Sequence, residues 1–217
     1  MCLSPRRAFR GIILRLCIVS LNVYRTLAVS NSTTPPTNLP PAIPSVFTVE
    51  ASIIIDAPID TVWTILLDFP KYPDWNPFVR AQVVTDDFYI PTQDQKVAEN
   101  LRLIITSQIP PLTPPVTASS LGNPLDEHIT RENITHYQPE LYRVAWQDLS
   151  LDALIQAERW SALSVFVDQS GDVMTFYESR EQYNGVLADT VQDLEGAGLV
   201  EGFQAQAATL KARAEAQ

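Results

Sequence analysis

The chain has only two cysteines in 217 residues, and both, Cys2 and Cys17, fall within its first 28. Everything beyond them forms no disulfide and offers no thiolate as nucleophile or metal ligand. Histidine is as scarce: His128 and His136 stand eight residues apart. In a regular strand their even spacing puts them on one face, but no third ligand accompanies them, so no metal site is expected. The seven glycines never take the spacing of a phosphate-cradling loop, and no Gly-x-Ser-x-Gly elbow is present. No cofactor is therefore expected. No apolar run reaches the ~20 residues that cross a bilayer, which argues against a stable membrane span. Acidic residues are missing from the start of the chain. All 25 lie at or beyond Glu50, together with ten of the 15 basic ones, so that part carries a formal charge of −15. Such a surface repels nucleic-acid backbones and anionic membranes, and no nucleic-acid partner is expected.

What the first 28 residues do have is the pattern of a targeting segment. Arg6, Arg7 and Arg10 precede a mostly apolar stretch over residues 11–24, and Thr26-Leu27-Ala28 is a small-residue cleavage site. Secretion is the first reading, supported by two N-glycosylation tripeptides beginning at Asn31 and Asn133. Arg15 within the apolar stretch, and the lack of acidic residues, fit a mitochondrial transit peptide as the alternative. An uncleaved intracellular chain is the third reading. Residues 29–45 are rich in Ser, Thr, Asn and Pro, with Pro35, Pro36, Pro40, Pro41 and Pro44 spaced along them. They read as an extended, exposed linker.

A folded domain is expected over residues 46–217. Val49, Ala51, Ile53 and Ile55 alternate as a half-buried strand does. Asp56-Ala57-Pro58 then opens a helix, with proline suited to its first position and Asp56 placed to cap it or add negative charge. Ile59, Val62, Trp63, Leu66 and Leu67 make a single apolar stripe. Pro70 ends the helix, a bulky corner follows over residues 71–78, and Val79, Ala81 and Val83 begin the next strand. Asn76 within the corner is expected to bond nearby backbone, as turn asparagines do.

Two stretches, Ile55-Asp56-Ala57-Pro58-Ile59-Asp60-Thr61-Val62-Trp63 and Asp68-Phe69-Pro70-Lys71-Tyr72-Pro73-Asp74-Trp75-Asn76-Pro77-Phe78, resemble the opening of the START-like, or SRPBCC, superfamily. They are most similar to its polyketide cyclase/dehydrase-like branch. Tyr177-Glu178-Ser179-Arg180-Glu181 through Gly202-Phe203 resembles the end of the same domain. The resemblance implies an α+β helix-grip: a curved antiparallel sheet wrapped around a long C-terminal helix, with an apolar cavity between them. It implies no single activity, because members include lipid carriers, hormone receptors, coenzyme Q-binding proteins and aromatic-polyketide cyclases.

Further strands are expected around Leu101, Leu103 and Ile105, over residues 128–137 and 141–148, within 152–167, and over 173–183. Residues 109–124 contain five prolines and exclude regular structure. They are either a gate at the cavity mouth or a solvated excursion. From Val186 the spacing is helical, and Gly196 and Gly198 are expected to kink or break the helix before it resumes with Leu199, Phe203, Ala207 and Leu210.

The residues such a fold can turn toward its cavity are Trp75, Phe78, Leu103, Tyr142, Trp146, Arg159, Trp160, Glu178, Arg180 and Phe203. Core packing is the ordinary role of the aromatics, and Trp63 and Trp75 suit fixing the corner. Glu178 and Arg180 share one strand face. They either meet solvent or form a polar set that orients a ligand carbonyl or hydroxyl. Two functions follow: binding an apolar small molecule such as a lipid, isoprenoid or polyketide, or acid–base cyclisation and dehydration in the same cavity. With no nucleophile or metal set in view, the sequence favours binding; whether catalysis occurs stays open at this level, as does oligomeric state.

Overall fold

A computed structural model describes residues 35–151 and 153–217. The targeting segment and Asn31 lie outside the described residues. Seven strands, β1 (Phe47–Ile55), β2 (Val79–Thr85), β3 (Arg102–Gln108), β4 (Glu127–Gln138), β5 (Arg143–Asp148), β6 (Gln156–Val167) and β7 (Val173–Asn184), form one sheet. Two helices, α1 (Ile59–Leu67) and α2 (Ala188–Glu215), complete the fold. The strand order is β1-β7-β6-β5-β4-β3-β2, antiparallel throughout. Strands β2 to β7 follow one another as a meander, and β7 returns the chain to β1. The sheet curves around α2, the α+β helix-grip expected from the sequence.

The link from β1 to β2 crosses from one sheet edge to the other, and its residues are pinned accordingly. α1 buries Val62, Ile65 and Leu66. Its end is held by the Tyr72 hydroxyl, which donates to the Leu66 carbonyl at 2.6 Å. Asn76 accepts the backbone N–H groups of Phe78 and Val79, both at 3.0 Å, the turn role expected of it. Asp56 does not cap α1, which has no side-chain cap. Its backbone N–H instead donates to Glu215 at 2.8 Å, tying the end of β1 to the last turn of α2.

Three expectations are corrected. α2 runs unbroken through Gly196 and Gly198. Gly198 and Gly202 serve close packing: a Cβ at Gly198 would meet Ile109 Cγ2 at 2.7 Å, and one at Gly202 the Phe78 ring at 2.5 Å. Next, a register shift between Ile134 and His136 reverses strand parity within β4. His128 lines the inner side, whereas His136 lies 4.6 Å from the Trp160 ring on the outer one. Finally, residues 35–45 are not a free linker; they lie as a strap along the outer face. Proline-rich chain has carbonyls to spare, and the sheet's side chains use them. Ser164 donates to the Pro36 carbonyl at 2.9 Å, Arg180 to that of Pro40 at 2.6 Å, and Gln182 to that of Ile43. Asn38 donates its N–H to Glu178 at 2.8 Å and accepts from Arg143 at 2.8 and 3.0 Å.

Candidate functional site

Strand register decides which side chains share the concave face. One cross-strand row there runs Ile134, Trp146, Arg159, Glu181 and Val49. The neighbouring row runs Val84, Leu103, Glu132 and Asp148, with Ala157, Tyr183 and Phe47 continuing its line on β6, β7 and β1. A step further along lie Gln82, Ile105 and Thr130. α2 covers these rows with Val191, Leu194 and Leu199, while Phe78 from the corner and Ile109 from the long loop close the side. The space enclosed is a cavity of about 400 Å³, within the size range of small-molecule sites. Its walls are apolar: Phe78, Val79, Ile105, Trp146, Ile155 and Leu199. Its floor is polar: Gln82, Glu132, Asp148, Arg159, Glu181 and Tyr183. At the mouth His128 Nε2 stands 3.7 Å from Glu195 Oε2, joining β4 to α2 beside the exposed Ile129, Leu151 and Leu194.

Arg159 is the organising group of the floor. It is 4% exposed, and its guanidinium donates to Ser179 Oγ at 3.0 Å and to Gln206 Oε1 at 3.1 Å. The cation lies 4.0 Å from the centre of the Phe203 ring, a contact strengthened by its desolvation. Burial pushes the Glu132 carboxyl up to about 8, helped by the charge of Glu181 and opposed by a hydrogen bond from Thr130. That bond is 2.7 Å long. Burial also raises Glu181 to about 7, against the pull of Arg159, and lifts the Tyr183 hydroxyl well above the ordinary tyrosine range. Carboxyls that titrate near neutrality can both give and take protons, and a fixed cation beside them can hold a carbonyl or enolate oxygen.

Of the residues singled out from the sequence, Phe78, Trp146 and Arg159 line the cavity together. Phe203 packs directly against Arg159, and its ring centre is 5.8 Å from that of Phe78. Leu103 belongs to the same face but is wholly buried in the core beside Glu132. Trp75 packs on Tyr72 within the corner, ring centres 5.0 Å apart. Tyr142 donates to Asp60 and sets its edge on Trp63, away from the cavity.

Trp160, Glu178 and Arg180 are on the wrong side for the role expected of them. Arg159 points inward, so its neighbour Trp160 points out. Tyr177, Ser179 and Glu181 share the inner face of β7, so Glu178 and Arg180 face the strap. The pair is buried rather than open to solvent: the strap bonds both residues, and with Thr37 and Leu39 they line a separate cavity of about 610 Å³. The sequence reading overlooked Gln82, Glu132, Glu181 and Tyr183. Their signal was parity, for Glu132 keeps step with Ile134, and Glu181 and Tyr183 with Tyr177. Asn133 sits in mid-strand on the outer face, paired with Arg102 and Gln147. The long loop over residues 109–124 is tied at Leu112 to the Pro77 carbonyl and at Thr117 to Arg80. Among the described residues no cluster of three or more His, Cys, Asp or Glu could hold a metal ion. No helix among them is long and apolar enough to cross a membrane.

The fold recurs in solved structures of low identity. A hypothetical protein from Helicobacter pylori is 13% identical with a TM-score of 0.55, over 78% of this chain and 89% of that one. Ginseng major latex-like protein 151 from Panax ginseng is 12% identical with a TM-score of 0.53, over 77% and 97%. A START superfamily protein from Mycobacterium smegmatis is 17% identical with a TM-score of 0.50, over 78% and 97%. No curated protein sequence matches the chain. The model of the family described as polyketide cyclase / dehydrase and lipid transport matches residues 46–215, which span the whole sheet, both helices and the cavity. The chain belongs to that family, within the START-like (SRPBCC) superfamily.

Proposed function

We propose that the protein binds a small, largely apolar molecule in the cavity between sheet and α2, with the ligand's hydroxyl or carbonyl group set toward Arg159, Glu132 and Glu181. One observation carries the reading: a cavity of about 400 Å³ whose walls are apolar and whose polar groups are gathered on one floor. Apolar walls supply affinity by removing ligand surface from water, and a few converging polar groups supply orientation. A lipid, isoprenoid or polyketide-like molecule has this division. Native mass spectrometry of protein purified from its own host is expected to show a retained organic ligand. Protein that comes out empty and takes up no apolar probe would end the reading.

A second reading, cyclisation or dehydration, is favoured by the two carboxyls raised to about 8 and about 7 on either side of Arg159. The ionised one takes a proton from carbon beside a carbonyl, Arg159 holds the enolate, and the protonated one gives its proton to a departing hydroxyl. Glu132→Gln and Glu181→Gln are then expected to cut turnover at least a hundredfold while ligand is retained; an unchanged product profile in the host removes the enzyme reading alone. The basic-then-apolar leader and the acceptor tripeptides favour secretion over mitochondrial import. N-terminal sequencing of mature protein is expected to begin near Val29, and an intact Met1 would overturn both destinations.

A further inference from the structure

Gln82 is a buried amide without a protein partner. It is 2% exposed, it lies on β2 opposite Ile105, and it lines the cavity. Neither its Oε1 nor its Nε2 meets a hydrogen-bonding group of the protein. The other buried glutamines among the described residues are all engaged. Gln206 accepts from Arg159, Gln108 accepts the Asn123 N–H at 2.9 Å, and Gln182 donates to the Ile43 carbonyl. Among the described glutamines, only the one facing the cavity leaves both buried amide atoms without a partner. Across the sheet it meets Ile105, and the cavity wall of Phe78, Val79 and Ile105 is apolar. A buried donor or acceptor left unmade is destabilising, whereas leucine or methionine would fill the same space without that penalty.

We infer that Gln82 determines ligand specificity, and that the group it reads is planar and neutral with a hydrogen-bond donor beside an acceptor, as in a carboxamide or lactam. Such a group meets Oε1 and Nε2 together in a paired, amide-to-amide arrangement. Neutrality follows from the amide itself: a carboxylate offers Oε1 no donor, and an ammonium group offers Nε2 no acceptor. The inference rests on the proposed binding function and sharpens it.

The test compares 2-naphthamide with 2-ethylnaphthalene, two probes of similar size and shape, by titration calorimetry on the full chain. Wild type is expected to bind the amide about tenfold tighter than the hydrocarbon or better. Gln82→Leu is expected to abolish that preference and leave the hydrocarbon's affinity unchanged or improved. Gln82→Met, which keeps the side-chain length, is expected to behave alike, and circular dichroism checks that both variants fold. If both probes bind wild type equally, or if the variants keep the preference, Gln82 is serving a bound water and the inference falls while cavity binding stands. If neither probe binds, the cavity reading falls and takes this one with it.

Discussion

Glu132 and Glu181 are carboxyls placed where a charge is costly, and that placement ties the protein's stability to pH. Their folded values of about 8 and about 7 exceed the ordinary 4.5, so the folded state holds protons that the unfolded chain has already lost. The stability linked to them is complete below about pH 4.5 and is lost as pH rises through the folded values. Urea denaturation is expected to show stability falling between pH 5 and 8 by up to about 1.4 kcal/mol per pH unit for each group. Between about 7 and 8 the slope belongs to Glu132. Glu132→Gln therefore flattens that upper window and reduces the slope below it, whereas a variant with the wild-type slope throughout would show that the carboxyl is not held protonated. Residue chemistry was only partly legible in the sequence. Arg159, Trp146 and Phe78 stood out as a charge and aromatics among apolar neighbours. Glu132 and Gln82 did not, because a polar residue in an alternating strand looks the same whether it faces solvent or lines a hollow.

At the scale of elements, α2 shows how packing overrides propensity. Gly198 and Gly202 weaken a helix taken alone, yet here they let Ile109 and Phe78 approach its backbone. Two substitutions separate the effects. At Gly196 the nearest atom to an added Cβ is the flexible Gln192 Cγ at 3.6 Å, so Gly196→Ala is expected to stabilise by up to about 1 kcal/mol. At Gly202 the added atom would lie 2.5 Å from the Phe78 ring, so Gly202→Ala is expected to destabilise by about 1–3 kcal/mol despite the same gain in helix propensity. Thermal melts of the two variants moving the same way would refute the packing account. β1, β2, β3, β5 and both helices were visible as periodicity, since period 2 and period 3.6 are local properties of the chain, and β4, β6 and β7 were placed by the turns around them. The shift in β4 was not visible, because an extra residue in one strand is defined only by the strand beside it.

For the whole molecule the outer strap is the clearest gain over the sequence. Compositional reading makes residues 35–45 a linker, and by themselves they bury too little to fold. The sheet supplies what they lack: Arg143, Arg180, Ser164 and Gln182 donate to a segment whose prolines leave carbonyls free. A chain beginning at Val46 exposes Glu178 and Arg180 to water, which restores part of their solvation. The expected cost is therefore moderate, about 1–3 kcal/mol, or roughly 3–10 °C in Tm. Uptake of an apolar probe should not change, because the cavity opens on the other face of the sheet. Loss of uptake at full stability would mean that the strap reaches the site.

Alternation and spacing in the sequence settled the elements, their order and, through the Ile55–Phe78 and Tyr177–Phe203 stretches, the family architecture, because each depends on residues close together in the chain. Which face of a strand is the inner one was decided by tertiary structure alone. Alternation defines two sides without naming them, and the covering element names them. α2 on one side made Arg159, Glu181 and Tyr183 the floor of a cavity, and the strap on the other made Glu178 and Arg180 its anchors.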